Sequence, residues 1–171
     1  QIIALLVMAA SVSVAEVNTG KSPNILLILV DDMGYSDLGC YGGEINTPTI
    51  DSLASNGLRY SQFYNSARCT PTRAAILSGY YAQQINRDAV LELKGKGVRP
   101  KWARLLPDYL KPGGYRSYHS GKWHIDGKPM GNGFDHSLDI IERHNYFRSM
   151  NIFKDGKRIE TKDGFYATTA V

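Results

Sequence analysis

The sequence predicts an α/β fold, a mostly parallel central sheet flanked by helices, and three observations carry that expectation. Residues 24–30 (NILLILV) form an unbroken aliphatic run, the pattern of a strand buried on both faces. Helix signals follow at Thr47-Pro48 and at Pro71, each leading into an apolar stretch that stops at a glycine. Strand, helix, strand, helix, helix, strand then succeed one another, the order of a sheet covered by helices.

The elements can be justified in turn. Residues 2–10 (IIALLVMAA) are apolar and uncharged, and small residues at Ser13 and Ala15 precede Glu16. That run is too short to span a bilayer. It reads instead as a partial signal peptide, residues 1–15, cut between Ala15 and Glu16. The expectation is therefore an exported protein, secreted or periplasmic, with no stable membrane anchor. After the first strand, Asp31-Asp32 opens a glycine-rich loop through Gly34, Gly39, Gly42 and Gly43. Thr47 is placed to cap a helix whose first residue is Pro48, with Ile50, Leu53 and Ala54 on its apolar face and Gly57 at its end. Residues 58–64 alternate as a strand, and Pro71 opens a second helix reaching Gly79. Residues 83–101 carry a weak pattern and read as loop. A helix is expected over residues 102–110, closed by Gly113-Gly114, then a short strand over 115–119. Beyond Asp126 irregular structure is expected, with a hairpin turning at Asp155-Gly156.

Composition limits the function classes. The chain has 171 residues, 43% hydrophobic and 21% charged, enough for one ordinary domain with a core. Its net charge of +4 is scattered along the sequence. Without a dense basic run or an interleaved aromatic platform, nucleic acid is not an expected partner. Two cysteines, Cys40 and Cys69, in an exported chain raise the possibility of a disulfide, which spacing alone does not test.

Asp31-Asp32, Cys69 and Lys122-Trp123-His124 each fall just past the C-terminal end of an expected strand. Ligands bind at that edge of open α/β sheets, so three separated segments converge on one site. Each has a plainer reading on its own: a solvated turn for the two aspartates, a small buried thiol capping a helix for Cys69, and surface charges for Arg73 and the Lys-x-His pair. Chemistry favours more. Two adjacent carboxylates repel unless a cation neutralises them, and hard oxygen ligands suit Ca²⁺ or Mg²⁺. Cys69 at a helix N-terminus sits where unpaired N–H groups favour an anion. Arg73 lies one helical turn further on. Lys122 and His124, two apart, point the same way from an extended segment.

Cys69-Thr70-Pro71-Thr72-Arg73 matches Cys-x-Pro-x-Arg and resembles the formylglycine signature of type I sulfatases, in the alkaline phosphatase superfamily. The surrounding segments strengthen the resemblance. Residues 23–42 (PNILLILVDDMGYSDLGCYG) look like that family's opening strand and metal loop. Residues 47–54 (TPTIDSLA) resemble its next helix, and residues 74–79 (AAILSG) its cysteine helix. Gly114-Tyr115-Arg116, then Ser120-Gly121-Lys122-Trp123-His124, then Gly133-Phe134-Asp135 follow in the family's order, covering roughly residues 23–147.

The resemblance implies a sulfuric ester hydrolase. Cys69 would be oxidised to formylglycine by a maturation enzyme and hydrate to a geminal diol. One hydroxyl attacks sulfur and the other helps expel sulfate, a covalent route whose second step is made easy. Asp31, Asp32 and the modified Cys69 would ligate a divalent metal, most often Ca²⁺. Arg73 would hold the site in place, Lys122 would stabilise sulfate charge, and His124 would orient or deprotonate the diol. Asp37 would support the metal loop from behind. His119, His136 and His144 read as structural or surface residues, and Cys40 as a buried free thiol. Tyr80 stands where the family often carries Arg. The substrate would be a sulfate ester, aryl or carbohydrate. Residues 16–171 would form the N-terminal part of a catalytic domain incomplete at its C-terminus. Two alternatives stay open: a phosphodiester or phosphonate hydrolase of the same superfamily, and a non-catalytic secreted sulfate-binding protein.

Overall fold

The computed structural model describes residues 22–88, 98–141, 147, 151–162 and 164–170. The expected signal segment, its cleavage site and His144 lie outside the described residues.

Thr47 and Pro48 start the first helix where the sequence placed it: α1 spans Pro48–Asn56, with Gly57 beyond. The Thr47 hydroxyl does not cap it. It accepts the Gly39 N–H at 2.9 Å and donates to Asp51 Oδ1 at 2.9 Å, and Asp51 Oδ1 also accepts the Cys40 N–H at 2.8 Å. The side chain expected to stabilise α1 thus ties the glycine-rich loop to it. The second helix, α2 (Cys69–Ser78), begins two residues before Pro71. Pro71 is tolerated there because first-turn amides have no intrahelical acceptor. Gly79 ends α2 in the left-handed region (φ 75°), its N–H returning to the Ala75 carbonyl.

Residues 83–85, expected as loop, join Ala82 in a 3-10 turn (Ala82–Ile85) that buries Ala82 and Ile85. The helix expected over residues 102–110 shrinks to α3 (Leu106–Leu110). Pro107 fixes its start, so Trp102 and Ala103 fall in a preceding turn.

The sheet is mixed. Strand β1 (Tyr118–Gly121) pairs in parallel with β2 (His136–Ile140). Strands β2 and β3 (Ile152–Lys154), then β3 and β4 (Lys157–Ile159), are antiparallel, in spatial order β1-β2-β3-β4. Asp155 (φ 48°) and Gly156 (φ 76°) turn the β3–β4 hairpin as expected, since both central residues of a type I′ turn need positive φ. A short helix, α4 (Ala167–Ala170), follows.

Two expected strands are not formed. Residues 22–30 and 58–64 are neither helix nor strand. Ile25, Leu26, Ile28, Leu58, Phe63 and Tyr64 are exposed. An apolar run makes a strand only when neighbouring strands satisfy its backbone and another layer covers its faces, and none of the described residues does this. Asp31-Asp32 accordingly do not end a buried strand. The core lies elsewhere, where Ala74 of α2 meets Ile85, Ala103, Leu105, Trp123 and Ile125, with Leu77 and Phe134 against them.

Candidate functional site

Trp123 belongs to that core while Lys122 and His124 on either side are only half-buried, so one apolar side chain pins the loop that carries two polar ones. Further ties fix the loop. Trp123 Nε1 donates to the Asp126 carbonyl at 3.0 Å, and the buried Arg87 donates to the Ile125 carbonyl. His124 holds a left-handed backbone (φ 51°), an uncommon conformation for a residue with a Cβ that the surrounding contacts sustain.

Arg73 reaches this loop from the second turn of α2. Its Nη1 donates to the Lys122 carbonyl at 2.6 Å, and its Nη2 lies 3.5 Å from Asp31 Oδ2. Lys122 Nζ donates to the same Asp31 oxygen at 2.5 Å. Asp31, Arg73 and Lys122 therefore meet, and His124 adds its field to Asp31. The Lys122 hydrogen bond holds the Asp31 carboxyl below the usual carboxylate range; desolvation opposes this, and the charges of Lys122, Arg73 and His124 support it.

Cys69 is the first residue of α2, half-buried and not in a disulfide; Cys40 is also a free thiol. Cys40 is half-buried rather than buried, because its loop lies on α1 outside the core. Asp32 follows Asp31 in a left-handed conformation (φ 54°), which aspartate tolerates better than most residues. Asp37 Oδ2 accepts the Gly34 N–H at 2.6 Å, bracing the loop that leaves the two aspartates.

The acidic residues fit a divalent cation in kind: Asp31 is ionised and Asp32 adjoins it, both hard oxygen donors. They do not complete a shell, since among the described residues no three His, Cys, Asp or Glu gather.

His119 has a closer link to the site than its sequence suggested. Its ring packs edge-on against Trp123 and Phe134, at 5.3 and 5.7 Å between centroids. Burial pushes it down to about 4; a hydrogen bond to the Lys122 backbone opposes this, and the nearby Arg73 charge adds to it. His136 matches its expected surface role, stacked on Tyr118 and paired with Asp155 at 3.2 Å. Tyr80 packs edge-on against Trp102. Sequence reasoning missed Asp139, buried on β2 beside the loop. Its signal was a lone acidic residue at an inward position of an alternating strand.

The architecture is the α/β, alkaline-phosphatase-like one of its structural neighbours. The chain belongs to the sulfatase family, whose model matches residues 23–166. It is 31% identical to an arylsulfatase of Klebsiella aerogenes, over 95% of this chain and 41% of that protein. It is 37% identical to arylsulfatase A of Homo sapiens, over 86% of this chain and 30% of that one. Among solved structures, Ps i-CgsB superimposes with a TM-score of 0.76 at 30% identity, covering 88% of this chain and 39% of that one. BT4656, in complex with its substrate D-glucosamine-2-N,6-O-disulfate, gives 0.71 at 32% identity, covering 88% and 29%. The chain thus spans less than half the length of the relatives it matches.

Proposed function

We propose that the protein containing this chain is a sulfuric ester hydrolase acting on aryl or carbohydrate sulfates. The observation that carries the reading is the meeting of Asp31, Arg73 and Lys122 beside a helix whose first residue is Cys69. Family membership and the carbohydrate-disulfate complex of one structural neighbour support the same substrate class.

Cys69, oxidised to formylglycine by its maturation enzyme and hydrated to a geminal diol, would supply the nucleophilic hydroxyl, the second hydroxyl then helping to expel sulfate. Asp31 and Asp32 would contribute oxygen ligands to a divalent cation, Ca²⁺ or Mg²⁺, with the modified Cys69 joining them when the cation is bound, and the cation would supply positive charge against the sulfate oxygens. Lys122 binds and neutralises sulfate, exchanging its present carboxylate partner for the substrate anion. Arg73 keeps the Lys122 backbone and Asp31 in register. His124, two residues from Lys122, orients or takes the proton of the hydroxyl. The first α2 amides face the same anion.

The protein is exported, residues 1–15 forming part of its signal peptide and residues 16–171 part of the catalytic domain. N-terminal sequencing of protein from its native host that still read residues 2–15 would refute export with cleavage at Glu16. The function is tested on the full-length protein, co-produced with a formylglycine-generating enzyme and supplied with Ca²⁺. Sulfate release from 4-nitrophenyl sulfate is expected. 4-Nitrophenol release from the matching phosphodiester or phosphonate monoester, with no sulfate release, would assign a phosphodiester or phosphonate hydrolase; no turnover would leave a binding protein.

A further inference from the structure

The loop that carries Lys122 and His124 is tied down on its far side by Arg99. Arg99 Nε donates to Asp126 Oδ1 at 3.2 Å, Nη1 to the Ala103 carbonyl and Nη2 to Asn132 Oδ1. The pair with Asp126 is largely withdrawn from water, its side chains 11% and 21% exposed. Asn132 extends the tie: its Nδ2 donates to the Asp126 carbonyl at 3.0 Å and to the Lys128 carbonyl at 2.9 Å. The same Asp126 carbonyl accepts the Trp123 indole N–H at 3.0 Å. Arg99 and Asn132 thus hold Asp126 by its side chain and its backbone, and Asp126 holds Trp123, the residue between Lys122 and His124. Gly127 (φ 58°) turns tightly beside this amide, since a Cβ there would come 3.3 Å from Asn132 Nδ2. Ala103 belongs to the core, so the guanidinium joins the loop to it. The planar fork of arginine fixes the directions of these bonds, which a lysine ammonium does not. Arg73 holds the loop upstream at the Lys122 carbonyl, and Arg99 holds it downstream at Asp126. His124 lies between them in its left-handed conformation, which lasts only where the surroundings over-determine it.

We propose that Arg99 is a positioning residue for His124, acting through Asp126, Asn132 and the Trp123 indole. In this role it binds no substrate. Because Arg73 keeps the Lys122 backbone in place, loss of Arg99 displaces His124 more than Lys122, and turnover suffers before substrate binding. The catalytic consequence rests on the function proposed above; the tie itself does not.

The test uses the full-length matured enzyme with Arg99→Lys, which keeps the charge without the fork, and Arg99→Ala, which keeps neither. A displacement of about 1 Å at a reacting group costs roughly a hundredfold in rate. In Arg99→Ala, kcat should fall about 10- to 100-fold with KM changed less than about twofold, and Arg99→Lys should lose less. With isotope-labelled tryptophan, hydrogen exchange at the Trp123 indole N–H should speed up in the same order, about tenfold or more for Ala. Guanidinium at a sub-denaturing concentration should slow that exchange and restore part of kcat in Arg99→Ala, leaving the wild type unchanged. Should Arg99→Ala not fold, Arg99→Lys decides by kcat, KM and indole exchange. Unchanged indole exchange in the folded variants would overturn the proposal. So would kcat losses that followed the melting temperature and did not respond to guanidinium, because a general loss of packing would produce them. If the wild type released no sulfate while the indole exchange followed the expected order, the tie would stand and the sulfatase reading would fall.

Discussion

Lys122 Nζ and Asp31 Oδ2 lie 2.5 Å apart across 91 residues of sequence, and Arg73 approaches the same oxygen. One carboxylate thus gathers two cations from two different elements. Such a cluster is suited to exchange: a metal can take the carboxylate while a sulfate takes the lysine.

Replacing Asp31 should therefore separate activity from stability. In the full-length enzyme, Asp31→Ala and Asp32→Ala should each lower kcat/KM at least about a thousandfold, a loss of roughly 4 kcal/mol in transition-state stabilisation. The protein should stay folded, because the Asp31 ion pairs are partly exposed and such pairs contribute little. The carboxyl of Asp31 is held low in the fold, so its contribution is present above its unfolded value and is lost as pH falls through its folded value. Below roughly pH 4 the wild type should thus lose its small stability advantage over Asp31→Asn. Near-normal turnover in Asp32→Ala would refute the ligand assignment.

His119 provides a second pH handle of known sign. Its folded value is about 4 against 6.5 for the free side chain, so the folded state resists protonation. Stability from this group is complete above 6.5 and is lost as pH falls toward about 4. Urea melts at pH 7 and at pH 4.5 should show the wild type losing more stability between them than His119→Gln does. Equal losses would mean that the ring is solvated.

The meeting of Asp31, Arg73 and Lys122 was more legible in the sequence than the sheet was. Short local patterns and the family resemblance single these residues out, and the fold brings the three together. Helix α1, the Gly79 stop and the Asp155-Gly156 turn were read correctly for the same reason, since each depends on a few adjacent residues. Residues 24–30 and 58–64 were misread because strand formation is non-local, and apolar composition does not say what the segment pairs with. Arg87 was invisible because a buried charge of this kind is recognisable only once its backbone partner is known, and Asp139 showed only as a lone acidic residue at an inward strand position.

The core that carries the loop should be sensitive to truncation. Leu105 is fully buried in the cluster that includes Trp123. Leu105→Ala should cost about 2–5 kcal/mol, from lost transfer energy plus the cavity left behind. Because Trp123 lies between Lys122 and His124, kcat should fall as well. Denaturant unfolding beside steady-state kinetics checks both. A cost under about 0.5 kcal/mol, typical of surface substitutions, would show that the site collapses freely or that the core lies elsewhere.

The reading of the whole site depends on Cys69. A thiol at the start of α2 has no second hydroxyl with which to expel sulfate, so turnover requires its conversion to formylglycine. Cys40 has the same side chain but a different setting: its backbone N–H is bound by Asp51 and its carbonyl by Arg59, on a loop distant in sequence from Arg73. Only Cys69 lies in the Cys-x-Pro-x-Arg pattern, with Pro71 and Arg73 following on the same helix. When the protein is made with its maturation machinery, Cys69 and not Cys40 should be converted. Trypsin should cut after Arg68 and Arg73, and mass spectrometry of the released peptide should show an aldehyde or its hydrate in place of the thiol. Cys69→Ala should abolish sulfate release, and Cys69→Ser should do so unless the host also modifies serine. Cys40→Ser should remain active, with a modest loss of packing because the thiol is only half-buried. A fully active enzyme whose Cys69 is an unmodified thiol would overturn the mechanism, since neither the thiol nor the single hydroxyls of Thr70 and Thr72 can supply a geminal pair.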